Sequence, residues 1–69
     1  MKTAIYEADP FTNNKTRLFL TVDTDYRFEH REEFFLTTNE GERFKVRVTY
    51  IRLEVTASGM RRELTVMKL

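Results

Sequence analysis

Cysteine is absent from the sequence, so neither disulfide bonds nor zinc–thiolate sites can stabilise the fold. Domains of this size often need such staples, because a chain of about 60 residues buries only about 60% of the surface it exposes when unfolded. We therefore expect a thin hydrophobic core. A protein partner, or a second copy of the chain, is one source of the missing stability.

Nucleophilic and acid–base side chains are also scarce. The chain has one histidine, His30, and one serine, Ser58, which lies in a predicted turn. It has no Gly-x-Ser-x-Gly motif and no recognisable third group that would orient a Ser–His pair. We expect His30 to be a partly buried structural residue on the inner face of a strand. The sequence thus predicts no catalytic residue and a protein that is not an enzyme.

Metal and phosphate motifs are missing as well. The segment 23–25, Asp-Thr-Asp, begins like a calcium loop, but Arg27 stands at the third ligand position and no central glycine follows. The two glycines, Gly41 and Gly59, are isolated, so no glycine-rich loop can surround a phosphate. We expect no metal site and no small-molecule cofactor.

Long apolar runs are not found either. No stretch approaches the roughly 20 apolar residues of a membrane span, and residues 1–6 lack the apolar region of a secretory signal. A cytoplasmic protein without membrane contact is the expectation. With 41% hydrophobic and 33% charged residues, the composition is typical of a globular protein, and residues 1–69 are predicted to form one domain.

The pattern that is present is an alternation of apolar and polar residues with period two, which is typical of strands. It is clearest in residues 17–22 and 43–50, which are rich in β-branched and aromatic side chains. Clusters of turn-forming residues divide the chain into five predicted strands, near residues 3–8, 16–22, 26–37, 43–56 and 60–68. Because the connections are short, we expect consecutive strands to be antiparallel. The predicted fold is all-β: a small antiparallel five-stranded meander or SH3-like barrel.

Residues 26–37 fit two structures. Asp25 could cap a helix, because the residues after it include good helix formers. That helix, however, would place Arg31 and Glu32 within its apolar stripe, whereas a strand places four apolar residues and His30 on one face. The strand is favoured.

The fourth predicted strand changes phase. Its apolar residues occupy even positions up to Tyr50 and odd positions from Ile51 to Val55. Such a change indicates a bulge or a sharp bend, by which one long strand can turn the corner of a barrel.

The first hairpin of this strand can be placed in register. If residues 39–41 form a three-residue loop with Gly41 at positive φ, the facing pairs are chemically matched on both faces of the sheet. These pairs are Leu36 with Phe44, Phe34 with Val46, Glu33 with Arg47, and Thr37 with Arg43.

The last hairpin has two possible registers. A three-residue loop pairs Glu54 with Arg62, whereas a loop one residue longer pairs Leu53 with Leu64 and Ile51 with Val66. The longer loop is favoured because apolar matching usually sets the register of a buried face.

Charge is distributed unevenly along the chain. Residues 1–42 contain five basic and nine acidic side chains, whereas residues 43–69 contain seven basic and two acidic ones. A basic strand face with an exposed ring could bind single-stranded nucleic acid. The residues predicted for this alternative function are Arg43, Lys45, Arg47, Tyr50, Arg52, Arg61 and Arg62. A net charge of only +1 and acidic neighbours across the strands argue against it.

Protein binding is the favoured function. Phe19 and Phe35 fall on faces opposite the main apolar rows of their strands, so both rings are predicted to be exposed and to contact a protein. A partner, or self-association, would cover them. The sequence therefore predicts a non-catalytic adaptor, inhibitor or assembly subunit, a small accessory protein that presents a β edge or an aromatic face.

Overall fold

A computed structural model describes the whole chain, residues 1–69. It consists of five strands without a helix, as predicted. The strands are β1 (Lys2–Ala8), β2 (Lys15–Asp23), β3 (Glu33–Thr37), β4 (Arg43–Thr56) and β5 (Gly59–Lys68). No helix of the structure is long and apolar enough to cross a membrane.

The five strands form one sheet in the order β2-β1-β5-β4-β3, which curls into a half-barrel. Neighbouring strands are antiparallel except for β1 and β5, which pair in parallel at the centre of the sheet. The predicted antiparallel pairing of each strand with the next therefore fails between β2 and β3, which occupy opposite edges. The segment 24–32 connects those edges and allows the first and last strands to meet.

The third strand is shorter than predicted. Only residues 33–37 are extended, and segment 24–32 is irregular. The backbone of Arg31 has a positive φ of 73°, which ends the extended conformation. The Glu32 carboxylate accepts hydrogen bonds from the Tyr26 hydroxyl and the Glu29 amide, and these bonds hold a loop. The prediction of a strand over residues 26–32 is wrong.

His30 lies in this loop and is exposed. Its Nε2 donates a hydrogen bond of 2.9 Å to the carbonyl oxygen of Thr49. The predicted position of His30, half-buried on the inner face of a strand, is wrong because the strand begins only at Glu33.

The predicted bend in β4 is confirmed. Val48 faces Val66 and Tyr50 faces Thr65 on β5, so Thr49 is an extra residue in β4. This β-bulge moves the inward-facing positions from even to odd numbers.

The predicted register of the β3–β4 hairpin is also confirmed, from the pair Glu33–Arg47 to the pair Thr37–Arg43. The loop has the expected geometry, because Gly41 has a φ of 91°.

The β4–β5 hairpin has a register that neither prediction gave. Its loop has only two residues, 57 and 58, and it pairs Thr56 with Gly59. Ile51 then faces Leu64 and Glu54 faces Arg61. The Thr49 bulge makes this register possible, because it shifts the pairing with β5 by one residue between Val48 and Tyr50. Apolar matching and the Glu54–Arg61 ion pair are satisfied together.

One hydrophobic cluster fills the half-barrel. Its buried members are Ile5, Phe19, Leu36, Val46, Val48, Leu64 and Val66. The predicted exposure of Phe19 is wrong: its side chain is 1% exposed and packs edge-on against Phe44, with ring centroids 5.0 Å apart. On β1, Ile5 faces Leu20 and Tyr6 faces Leu18, so Phe19 is the extra residue of a second bulge and turns inward.

Candidate functional site

The sheet has two faces, which we call inner and outer. The inner face carries the buried cluster, and the outer face carries the alternate residues of each strand. Six of the seven residues predicted to bind nucleic acid lie on the outer face. In β4 the Thr49 bulge places the odd-numbered positions before it and the even-numbered positions after it on this same face. These six are Arg43, Lys45, Arg47, Tyr50, Arg52 and Arg61.

Ion pairs neutralise part of this outer face. The Glu33 carboxylate lies 2.7 Å from Arg47 Nη2 and 3.3 Å from Lys45 Nζ, and these hydrogen bonds lower the pKa of Glu33 below its ordinary value. Arg61 and Glu54 are paired at 2.6 Å.

Three basic residues of the outer face have no ion-pair partner. They are Lys2, Arg43 and Arg52. Lys2 and Arg52 border a cleft of about 310 Å³, which also includes Tyr6, Lys15 and Arg61. Lys2 and Arg52 offer cationic groups to an anion. Glu54 and Glu63 also line the cleft, where they are paired with Arg61 and Lys15.

Arg62 also borders the cleft, but its side chain is turned away from the outer face. It lies buried on the inner face, where its Nε donates to Thr3 Oγ1 at 2.8 Å and its Nη2 donates to the Thr24 carbonyl at 3.2 Å. Its guanidinium lies 5.0 Å from the centroid of the Phe28 ring. The side chain thus ties β1 to segment 24–32, and a contact of Arg62 with nucleic acid stays a prediction.

Phe35, the second predicted interaction residue, is exposed. Its side chain is 62% exposed on the outer face, and the Arg43 guanidinium lies 5.4 Å from its ring centroid. Phe19 and Phe35 are thus on opposite faces and cannot form one aromatic surface. The role of Phe35 in binding stays a prediction.

Sequence patterns did not reveal the free edge of β4. Strand β3 pairs with β4 only as far as Arg47, and the last backbone contact on that side is between segment 24–32 and Val48. From Tyr50 to Thr56 only β5 is paired with β4. This stretch, residues 50–56, is called the free edge below.

Three residues of the free edge direct their backbone groups away from β5. In an antiparallel ladder, alternate residues direct both N–H and C=O to one side. The two-residue turn is closed by the pair Thr56–Gly59, whose hydrogen bonds fix the alternation. Consequently Ile51, Leu53 and Val55 direct their N–H and C=O groups outward, where no strand and no side chain meets them.

The same end of the hairpin exposes an apolar row. Leu53 is 56% exposed, Val55 68% and Met60 54%, and all three lie on the inner face, beyond the part that the buried cluster fills. The alternation of these residues is visible in the sequence, but their exposure depends on the short β3 and on the two-residue turn.

The single histidine and the single serine of the chain have local hydrogen bonds. His30 is bonded to the Thr49 carbonyl, and the Ser58 hydroxyl is bonded to the Thr56 hydroxyl. No three metal-ligating side chains come together. No protein-family model, curated protein or solved structure matches the chain.

Proposed function

We propose that the protein is a non-catalytic interaction module, an adaptor, inhibitor or assembly subunit that binds a protein partner through the free edge of β4. The observation that supports this proposal is the coincidence of unpaired backbone groups at Ile51, Leu53 and Val55 with the exposed apolar side chains of Leu53 and Val55. A strand added at this edge would pair with the backbone groups and cover the apolar side chains.

This mode of recognition is β-augmentation, in which main-chain hydrogen bonds give affinity and alternate side chains give specificity. Natural sheets usually protect an exposed edge with proline, a bulge or an inward-pointing charge. Residues 50–56 contain none of these devices, and their inward positions are Ile51, Leu53 and Val55. The free edge is therefore suited to pairing.

An edge-blocking variant tests the proposal. Leu53→Lys places an inward-pointing charge at the centre of the free edge, and Phe11→Lys, which changes a 95% exposed ring in the β1–β2 loop, is the matched control. In affinity capture from the source cells, we expect a protein that binds the wild type and the control but not Leu53→Lys. In the purified complex, the amides of Leu53 and Val55 should exchange with solvent more slowly than in the free chain.

The opposite results would argue against an edge-binding module. Capture of the same proteins by Leu53→Lys and by the wild type would place the binding surface elsewhere. Unchanged exchange at Leu53 and Val55 in a purified complex would lead to the same conclusion.

Binding of single-stranded nucleic acid is a second candidate function. It is supported by the cleft of the outer face, where Lys2 and Arg52 have no ion-pair partner and Tyr50 is exposed nearby. Cations bind phosphates and exposed rings stack on bases. The remaining basic residues of this face are mostly paired with carboxylates, which makes this function the weaker candidate.

Anisotropy of a labelled single-stranded oligonucleotide measures this binding directly. If the cleft binds nucleic acid, affinity should fall as salt is raised, and both Arg52→Glu and Lys2→Glu should weaken it. Absence of binding at low salt would remove this candidate function.

A cytoplasmic location without membrane contact or a cofactor stays a prediction under either function.

A further inference from the structure

The sequence of the free edge is self-complementary. When two copies of residues 50–56 are placed antiparallel around Leu53, Ile51 of one copy faces Val55 of the other, and Tyr50 faces Thr56. Apolar side chains then meet apolar side chains on the inner face. On the outer face, Arg52 of each copy faces Glu54 of the other.

The backbone pattern fits the same register. Ile51, Leu53 and Val55 direct their N–H and C=O groups to the free side, and a twofold axis at Leu53 pairs these residues only with one another. Each such pair exchanges both N–H···O bonds. The outward-directed groups of the free edge are then all satisfied.

Other registers are poorer. A twofold axis at Arg52 places two guanidinium groups opposite each other, and an axis at Glu54 does the same with two carboxylates; like charges in directly opposed positions are destabilising. An axis at Ile51 or at Val55 leaves charges unmatched and shortens the paired stretch. Only the axis at Leu53 matches both faces.

The charges within one chain favour this arrangement. Arg52 has no ion-pair partner in its own chain, and Glu63, which faces it on β5, is bound to Lys15 at 2.7 Å. The Glu54 carboxylate is bound to Arg61 through Oε1, which leaves its other oxygen for Arg52 of a second copy. Two such contacts would form in each dimer.

The length of the free edge also fits. At one end the turn at residues 57 and 58 leads into β5, and at the other the contacts of Val48 with segment 24–32 begin. In the register around Leu53, turn residues 57 and 58 of one copy face residues 49 and 48 of the other, just beyond the free edge of that copy. The paired stretch therefore ends where the contacts of β4 with segment 24–32 begin.

We propose that the partner of the free edge is a second copy of this chain, paired antiparallel through residues 50–56 with a twofold axis at Leu53. This inference rests on the proposed function, which it deepens by naming the partner. Edge contacts of this size form small interfaces, and interfaces below about 1,200 Å² are typically weak. The dimer is therefore expected at high micromolar rather than nanomolar concentration.

Two single charge reversals and their mixture test the register. Arg52→Glu places carboxylates opposite each other at both contacts of the dimer, and Glu54→Arg places guanidinium groups there. Each should raise the dimer dissociation constant about tenfold or more, since two attractive pairs become repulsive. Mixed together, the two variants should form a heterodimer, because every opposed pair then carries unlike charges.

Lys2→Glu is the matched control. It makes the same change of charge on the same face, at a residue without an ion-pair partner, but lies on β1, which β5 separates from the free edge. Sedimentation equilibrium should give the wild type and this control a mass rising with concentration from 8.3 kDa towards twice that value. Circular dichroism confirms that each variant is folded, and Leu53→Lys is a further variant that should be monomeric.

The contrary outcomes are distinct. A wild type that stays at 8.3 kDa up to about 1 mM, well above the range of a weak interface, would overturn the self-pairing. The proposed function would survive that result if a foreign protein still bound the wild type but not Leu53→Lys. A dimer that Arg52→Glu leaves intact, or variants that fail to associate when mixed, would overturn the register around Leu53.

Discussion

At the scale of single residues, Phe19 and Phe35 show how far an aromatic side chain can be placed from sequence. Both were predicted to be exposed because each falls out of phase with its strand, and only Phe35 is exposed. The difference is a bulge at Phe19, which no turn-forming residue marks. Simple alternation therefore gives the wrong face wherever a strand contains an unmarked extra residue.

Truncating these two rings should separate their roles. Phe19→Ala removes a buried ring that packs on Phe44 and should lower the free energy of unfolding by about 3–5 kcal/mol. Phe35→Ala removes an exposed ring and should change it by no more than about 0.5 kcal/mol. Urea denaturation followed by circular dichroism measures both values, and similar effects of the two substitutions would contradict the assignment of Phe19 to the core.

Arg62 illustrates a limit of another kind. Its sequence neighbour Arg61 lies on the outer face and is paired with Glu54. Successive residues of a strand point to opposite faces, so Arg62 lies on the inner face. Nothing in the sequence shows that Arg62 can remain buried, because its partners Thr3 and Thr24 lie 59 and 38 residues earlier in the chain. A buried arginine of this type is visible only when the parallel pairing of β1 and β5 is known.

At the scale of elements, a register can be predicted where both faces of a hairpin are chemically matched. This holds for β3 and β4, where Glu33 faces Arg47 and Leu36 faces Phe44. For β4 and β5 the bend was predicted, but its effect on the register was not carried through to the turn. A single bulge shifts every pair that follows it, so the apolar match at Ile51 arises with a shorter loop than expected.

Gly59 provides a test of that turn. Its φ is 141°, and a Cβ added there would meet no atom within 4 Å, so the cost of Gly59→Ala comes from the backbone alone. We expect this substitution to lower the melting temperature, corresponding to about 1–3 kcal/mol of strain. Ser58→Ala, in the same turn, should have little effect, and equal melting temperatures of the two variants would contradict the positive φ at Gly59.

At the scale of the whole molecule, acidic side chains connect elements that are distant in sequence. Glu32 joins Tyr26 to the start of β3, Glu33 joins β3 to β4, and Glu42 joins the β3–β4 loop to Arg17 on β2. Hydrogen bonds from these partners lower the pKa of each carboxyl group below its ordinary value. The half-barrel is thus held partly by charged groups near its surface.

The stability of the protein should consequently fall in acid. Because the folded-state pKa of Glu33 is lowered, its contribution is complete above the ordinary carboxyl pKa and is lost as the pH falls through the folded-state value. Glu33→Gln should therefore reduce the melting temperature at pH 7, and the difference from the wild type should shrink as the pH falls below the ordinary carboxyl pKa. Calorimetry across this range checks the prediction, and a difference between wild type and variant that persists in acid would contradict it.

The strand order could not be predicted from the sequence. Short connections favour pairing between consecutive strands, and segment 24–32 has no feature that marks it as a crossing between two edges. The number of strands and the all-β class follow from local alternation, whereas the parallel contact between β1 and β5 depends on residues about 60 positions apart in the chain. The free edge of β4 depends on that strand order, so the sequence does not predict it either.

The central position of β5 affects how the protein emerges from a ribosome. Synthesis completes β1, β2, β3 and β4 before β5 is available, yet β5 separates β1 from β4 in the finished sheet. Until β5 is present, the β1–β2 and β3–β4 hairpins leave Ile5 and Val48 uncovered. Folding must then bring together strands from both ends of the sequence. Such long-range closure is slow, so the apolar faces of the two hairpins stay exposed until β5 joins them.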